Sequence, residues 1–151
     1  MQSKDQIDAS VLLELFTKPR KKADRRKIQY SIAQYFDQVE RKRKNGYVSI
    51  SCLGEVFNAL HNIDDDILRN LVFAKINDLL SKDGFTINSP NRDTFKKADE
   101  ILEFDYAIEP QDALRIAEAI TNTAQLITLD NKLLSNKVLQ NQFNVTIRAS
   151  Y

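Results

Sequence analysis

The sequence predicts an α/β fold: a three-layer α/β/α sandwich around a mainly parallel sheet. Short apolar or β-branched runs alternate along the chain with longer segments whose apolar residues recur at helical spacing. A length of 151 residues suits one domain, 1–151, with a core large enough to need no disulfide or metal staple. The clearest unit is Glu109–Asp130, which reads as helix, short loop, buried strand and then an acid at the strand's carboxyl end. Open α/β sheets place their ligands at that end.

The elements follow in order. A short strand ends near Asp8, although Lys4, Asp5 and Gln6 are poor strand formers. Val11-Leu12-Leu13-Glu14-Leu15-Phe16 continues as a helix to about Thr17, and Lys18-Pro19 ends it. Ala23 to Lys44 reads as a long helix with Ile28, Ile32, Tyr35, Phe36 and Val39 on one face, closed by a cap or turn at Asn45-Gly46. Tyr47-Val48-Ser49-Ile50 is the second strand, and Val56, Phe57, Leu60 and Ile63 mark a helix with Glu55 inside it. Asp64-Asp65-Asp66 starts a further helix running to about Leu80, because acids suit the positive end of the macrodipole.

Phe85-Thr86-Ile87-Asn88 is a third strand, followed by an amphipathic helix over about Thr94–Phe104. Pro110 suits the first turn of the next helix, whose apolar face carries Ala113, Leu114, Ile116, Ala117 and Ile120. Leu126-Ile127-Thr128-Leu129 is a buried strand. Asn131–Leu134 and Asn136–Gln142 form short helical turns, and Val145-Thr146-Ile147 a last strand.

Composition excludes several classes. One cysteine, Cys52, rules out an internal disulfide framework or a cysteine-rich zinc site, and suits a reducing cytoplasm. No apolar run approaches the roughly 20 residues of a membrane span, and the opening MQSKDQ shows no signal-peptide core. No Gly-rich phosphate loop occurs, and a single histidine, His61, argues against a Ser/His/Asp triad. His61 and Cys52 are read as structural. The net charge is +1, yet 11 of the 22 basic residues fall between Lys18 and Lys44. Lys21, Lys22, Arg25, Arg26, Arg41 and Arg43 could there bind phosphates without reading sequence, or simply form a solvated face. Tyr30 could stack on a base, whereas Tyr35 belongs to the core stripe.

If the strands are parallel, Asp8, Glu55 and Asp130 fall near carboxyl ends of strands, and Asp112 opens a helix returning from the same rim. Each has a bland explanation: Asp8 in a turn, Glu55 on a solvated helix face, Asp112 complementing a helix dipole, Asp130 as a helix cap. Together they would repel unless cations neutralised them. Oxygen donors of this kind suit Mg²⁺ or Mn²⁺, which share phosphate oxygens of a substrate and support phosphodiester hydrolysis.

The order of motifs resembles the PIN-domain nucleases, in particular the VapC-type ribonuclease toxins. Ile-Asp-Ala-Ser-Val-Leu-Leu (7–13) resembles the opening motif of that family, and Val-Ser-Ile-Ser-Cys-Leu-Gly-Glu-Val (48–56) the second. Asp112 with Ala113, Ala117 and Ala119 resembles the third, and Leu-Ile-Thr-Leu-Asp (126–130) the fourth. The resemblance spans nearly the whole chain. It implies a PIN-like sandwich and Mg²⁺- or Mn²⁺-dependent cleavage of RNA. Asp8, Glu55, Asp112 and Asp130 would form the catalytic, metal-binding constellation, and Ser10 and Thr128 would support it. It also implies a small antitoxin partner and a homodimer. Asn131 and Lys132 stand where a second acid often follows the fourth motif, so two alternatives stay open: a PIN nuclease of RNA maturation or quality control, and a non-catalytic module that binds RNA or protein.

Overall fold

The computed structural model describes residues 3–16 and 24–150, with side chains described for 3–14 and 30–150. Strand β1 (Lys4–Ile7) leads into helix α1 (Ala9–Phe16), and α2 (Asp24–Glu40) precedes β2 (Asn45–Ser49). Helices α3 (Ile50–His61) and α4 (Asp66–Leu80) lead to β3 (Phe85–Asn88), followed by α5 (Arg92–Phe104) and α6 (Pro110–Thr121). Then come β4 (Gln125–Ile127), the short helices α7 (Asn131–Ser135) and α8 (Lys137–Phe143), and β5 (Ile147–Arg148).

The strands form one five-stranded sheet in the order β3-β2-β1-β4-β5, with every pairing parallel. Alternation along each strand divides the core in two. Ile7, Val48 and Ile127 face a cluster shared with Val11, Leu12, Ile32, Tyr35, Val56 and Ile76 from α1–α4. Leu126 and Ile147 face the second cluster, with Ile101, Ile116, Ala117, Leu133 and Leu139 from α5–α8. Helices therefore cover both faces, as the alternating pattern predicts. The connections leave β1 towards β2 on one side and meet β4 on the other, so the carboxyl ends of β1 and β4 form the crevice of the sheet.

Several boundaries differ from the sequence expectation. The long basic helix stops at Glu40 instead of Lys44, because Lys42 takes a left-handed φ of 56° and the Arg43 N–H closes on the Gln38 carbonyl at 3.0 Å. Asn45 and Gly46 accordingly belong to β2, not to a cap. Gly46 is small for packing reasons: a Cβ there would meet Val39, Ile7 and Phe85 side chains at 3.0–3.2 Å. Strand β4 ends at Ile127, leaving Thr128 and Leu129 beyond it. The last strand is Ile147–Arg148, not Val145–Ile147.

The polar first strand is buried and internally satisfied. Asp5 accepts hydrogen bonds from the Tyr35 hydroxyl at 2.8 Å and the Gln125 amide at 2.6 Å, with Lys44 Nζ at 4.0 Å. On the opposite face Gln6 exchanges amide hydrogen bonds with Asn88 at 3.2 and 3.0 Å. Burial, and then the Asp5 charge, push the Tyr35 hydroxyl well above the usual tyrosine range, so it remains a donor. Tyr35→Phe should therefore leave a buried carboxylate oxygen short of its main donor. The expected loss is about 2 kcal/mol of folding stability, read as a lower urea midpoint at unchanged slope.

Candidate active site

The Asp8 carboxylate begins where β1 ends, held there by its own N–H bonding the Ile127 carbonyl at 2.9 Å. All the donors around it point inward. Oδ1 accepts from the Ala9 N–H at 2.9 Å and Arg115 Nε at 3.1 Å; Oδ2 accepts from the Ser10 hydroxyl at 2.9 Å and the Thr128 hydroxyl at 2.8 Å. The Ser10 and Thr128 hydroxyls thus both donate to the first acid. They also fix the loop after β4: the Leu129 N–H donates to Ser10 Oγ, and the Asp130 N–H to Thr128 Oγ1, both at 3.1 Å.

Glu55 reaches the same rim because Ser49, the last residue of β2, caps α3 by accepting from the Ser51 N–H at 3.2 Å. Asp112 lies in the first turn of α6, entered through Pro110. Asp130 caps α7, accepting from the Lys132 N–H at 2.9 Å. Asp8, Ser10, Glu55 and Asp112 line one open cleft of about 390 Å³, together with Ala9, Leu13, Asn58 and Gln111. Asp130 stands outside that lining, yet its charge is the leading one acting on Asp112.

Arg115 is the residue that sequence reasoning missed. Its side chain, 3% exposed, lies beneath the cleft and binds three acids at once. Nε meets Asp8 at 3.1 Å, Nη2 meets Glu55 Oε2 at 2.7 Å, and Nη1 meets Glu118 Oε1 at 3.3 Å and the Ser51 hydroxyl at 2.8 Å. Ser51 in turn donates to Glu118 at 2.7 Å. Burial works against the guanidinium charge, but Cys52, Glu118, Asp8 and Glu55 more than offset it and hold the group charged. The one available signal was an i,i+3 Arg–Glu pair inside an alanine-rich stretch of this helix.

Asp112 has the opposite surroundings. Its carboxylate makes no hydrogen bond or ion pair among the described residues. Burial, and then the charges of Asp130, Asp8, Glu109 and Glu55, push its pKa up to about 6. Cys52, expected to be structural, is buried in the core with its thiol pushed up to about 12, chiefly by burial. His61 is exposed at the end of α3.

Of the basic segment, Arg41 and Arg43 do not join this rim. Arg41 and Arg43 are exposed just before β2, at the amino end of a parallel sheet whose acids sit at the carboxyl end. Arg41 is paired with Asp37 at 2.9 Å. Lys21 and Lys22, and the side chains of Arg25 and Arg26, lie outside the described residues. Tyr30 is exposed at 67% on α2. No helix among the described residues is long and apolar enough to cross a membrane.

The comparisons with known proteins fit this geometry. No family model matches the chain, and no curated protein does. Solved structures do. VapBC2 from Rickettsia felis, bound to a DNA fragment from its promoter, superposes with a TM-score of 0.71 at 14% identity, over 97% of this chain and 98% of that one. The fold is PIN-like. A toxin–antitoxin complex from Klebsiella pneumoniae gives 0.64 at 17% identity, again over 97% and 98%. VapC20 from Mycobacterium tuberculosis, a sarcin–ricin loop cleaving toxin, gives 0.59 at 18% identity over 84% of this chain and 90% of its own. These likenesses agree with the family that the four sequence motifs resemble, and with the all-parallel PIN-like sheet they imply.

The Asp112 environment makes stability depend on pH. The unfolded chain ionises Asp112 near its ordinary value of 3.8 and the folded chain near 6, so the folded state holds the proton longer. Stability contributed by the neutral form is present below the lower value, falls between the two, and is absent above the higher. Asp112→Asn should therefore raise the melting temperature in EDTA at about pH 8 and give little gain at about pH 4. Equal melting temperatures for the two proteins at the higher pH would show that Asp112 is not strained.

Proposed function

We propose that this protein is a divalent-metal-dependent ribonuclease, the toxin of a toxin–antitoxin pair, with Asp8, Glu55, Asp112 and Asp130 as its acidic constellation. The observation that carries the proposal is a cleft lined by Asp8, Glu55 and Asp112 at the carboxyl rim of a PIN-like sheet, with the charge of Asp130 acting on Asp112. Neighbours of that fold include a toxin–antitoxin complex and a sarcin–ricin loop cleaving toxin, which supports an RNA substrate and a small antitoxin partner here. A homodimer remains the assembly implied by the family resemblance.

The donor set suits a hard cation. The cleft offers carboxylates, the amide side chains of Asn58 and Gln111, and the Ser10 hydroxyl, with no thiol or imidazole. Asp112, unpartnered and pushed towards neutrality by burial and then by its acidic neighbours, is the group that a cation would relieve. Among the described residues no three His, Cys, Asp or Glu side chains already form a cage. Mg²⁺ and Mn²⁺ need none, because they bind through one or two carboxylates and keep water or substrate phosphate in the other positions.

Asp112 and Asp130 would hold the ion beside Asp8, whose carboxylate is already fixed by four donors. When bound, a divalent ion supplies polarisation of the scissile phosphate and a more acidic attacking water. The chain's own contribution is positional. Ser10, Thr128 and Arg115 keep Asp8 from turning, and Glu55, anchored through one oxygen, leaves Oε1 to orient water. Fixed acceptors of this kind cost no reorganisation as the reaction proceeds.

Incubating purified protein with a mixed single-stranded RNA pool tests this reading. Cleavage is expected with Mg²⁺ or Mn²⁺, none in EDTA, and a loss on the order of 100-fold or more in Asp8→Asn and Asp130→Asn. Cutting that persists in EDTA and in both variants would reject the assignment. One observation favours a second reading: Arg115 already ties up Asp8 and Glu55, as in a module that binds RNA without cutting it. Salt-sensitive RNA binding with no cleavage under any metal would favour that module.

A further inference from the structure

We propose that Arg115 is a built-in cation of the site: its guanidinium takes the position between Asp8 and Glu55 that a second divalent ion would need, so the protein binds one such ion per chain, on the side of Asp112 and Asp130. This inference rests on the metal-dependent reading above and deepens it.

The geometry is direct. A divalent ion bridging Asp8 Oδ1 and Glu55 Oε2 would approach each to about 2.1 Å. Those same oxygens already face Arg115 Nε at 3.1 Å and Nη2 at 2.7 Å. A dication entering there would stand against a buried guanidinium, where like-charge repulsion is weakly screened. Nor is the arginine free to move aside. Glu118 and Ser51 grip Nη1 from behind, and Glu118 has a side chain 1% exposed. Its Oε2 is buried with no hydrogen-bond partner, so withdrawing Arg115 would leave that carboxylate without its cation. Asp112 and Asp130 lie beyond the guanidinium's reach, since neither makes an ion pair with it. Their charges are the ones left for an exchangeable ion.

Arg115 acts through the carboxylates it holds and is a positioning residue. A purely structural arginine would tie α6 to β1 and α3 without affecting how many ions bind. The test is Mn²⁺ titration of the full chain by calorimetry and by electron paramagnetic resonance of free Mn²⁺, with RNA cleavage measured alongside. Wild type should bind one Mn²⁺. The double variant Arg115→Met/Glu118→Gln removes both charges of the buried pair, so neither is stranded. It should gain a second Mn²⁺ site at least about tenfold tighter than any second binding in wild type. Two ions in wild type would overturn the proposal even if the variant failed to fold. A folded variant that still binds one would overturn it as well. One bound ion without cleavage would instead sink the nuclease reading and leave this one standing, whereas no Mn²⁺ binding would reject both.

Discussion

A single buried guanidinium holds the carboxyl rim together. Arg115 joins the residue that ends β1, the acid on α3 and an acid on its own helix, three elements otherwise far apart in sequence. A charge so deeply placed is tolerable only because each N–H edge meets an acceptor, and removing one side of such a pair costs several kcal/mol. The consequence is a rigid Asp8. Its position follows from the sheet register, its rotation from four donors, and none of these depends on solvent.

The rim nevertheless carries more negative charge than Arg115 can offset. Asp8, Glu55 and Glu118 already outnumber it, and Asp112 and Asp130 add to the excess. Burial, and then that surplus, raise the pKa of Asp112. An RNA backbone would be repelled by a cleft of this sign, since its phosphates are acceptors without donors to meet them. Among the described residues, the basic side chains Arg41 and Arg43 lie at the other end of the strands. Exchangeable cations are thus the simple way for a phosphate to enter, and the absence of thiol and imidazole in the lining favours hard ones.

Much of this was legible in the sequence because it depends on local pattern. Alternating strand and helix periods gave the layered fold, and an acid directly after a short apolar run, as in Leu129-Asp130, marks the carboxyl rim whenever strands run parallel. What stayed hidden depends on which face a side chain takes. Nothing in the sequence marks Arg115 and Glu118 as buried, since an arginine on an amphipathic helix is usually solvated. They are buried because α6 is covered on nearly all sides, with consecutive residues from Arg115 to Ala119 out of solvent. Arg41 and Arg43 show the converse: composition revealed that these charges exist but not at which end of the sheet they sit.

The first strand shows why poor strand propensity did not prevent a central strand. Asp5 and Gln6 would each be costly in the interior alone. Tyr35 and Gln125 meet one, while Asn88 and Asn122 meet the other, so each strand face carries its own satisfied polar pair. Such bonds permit one register only. A slip of one residue would move Asp5 to the face of Asn88, where it finds an amide but loses the tyrosine hydroxyl, and would turn Ile7 away from its core. The same polar pairs that make Lys4–Ile7 look unlike a strand therefore fix where it ends, and where it ends is where Asp8 must stand.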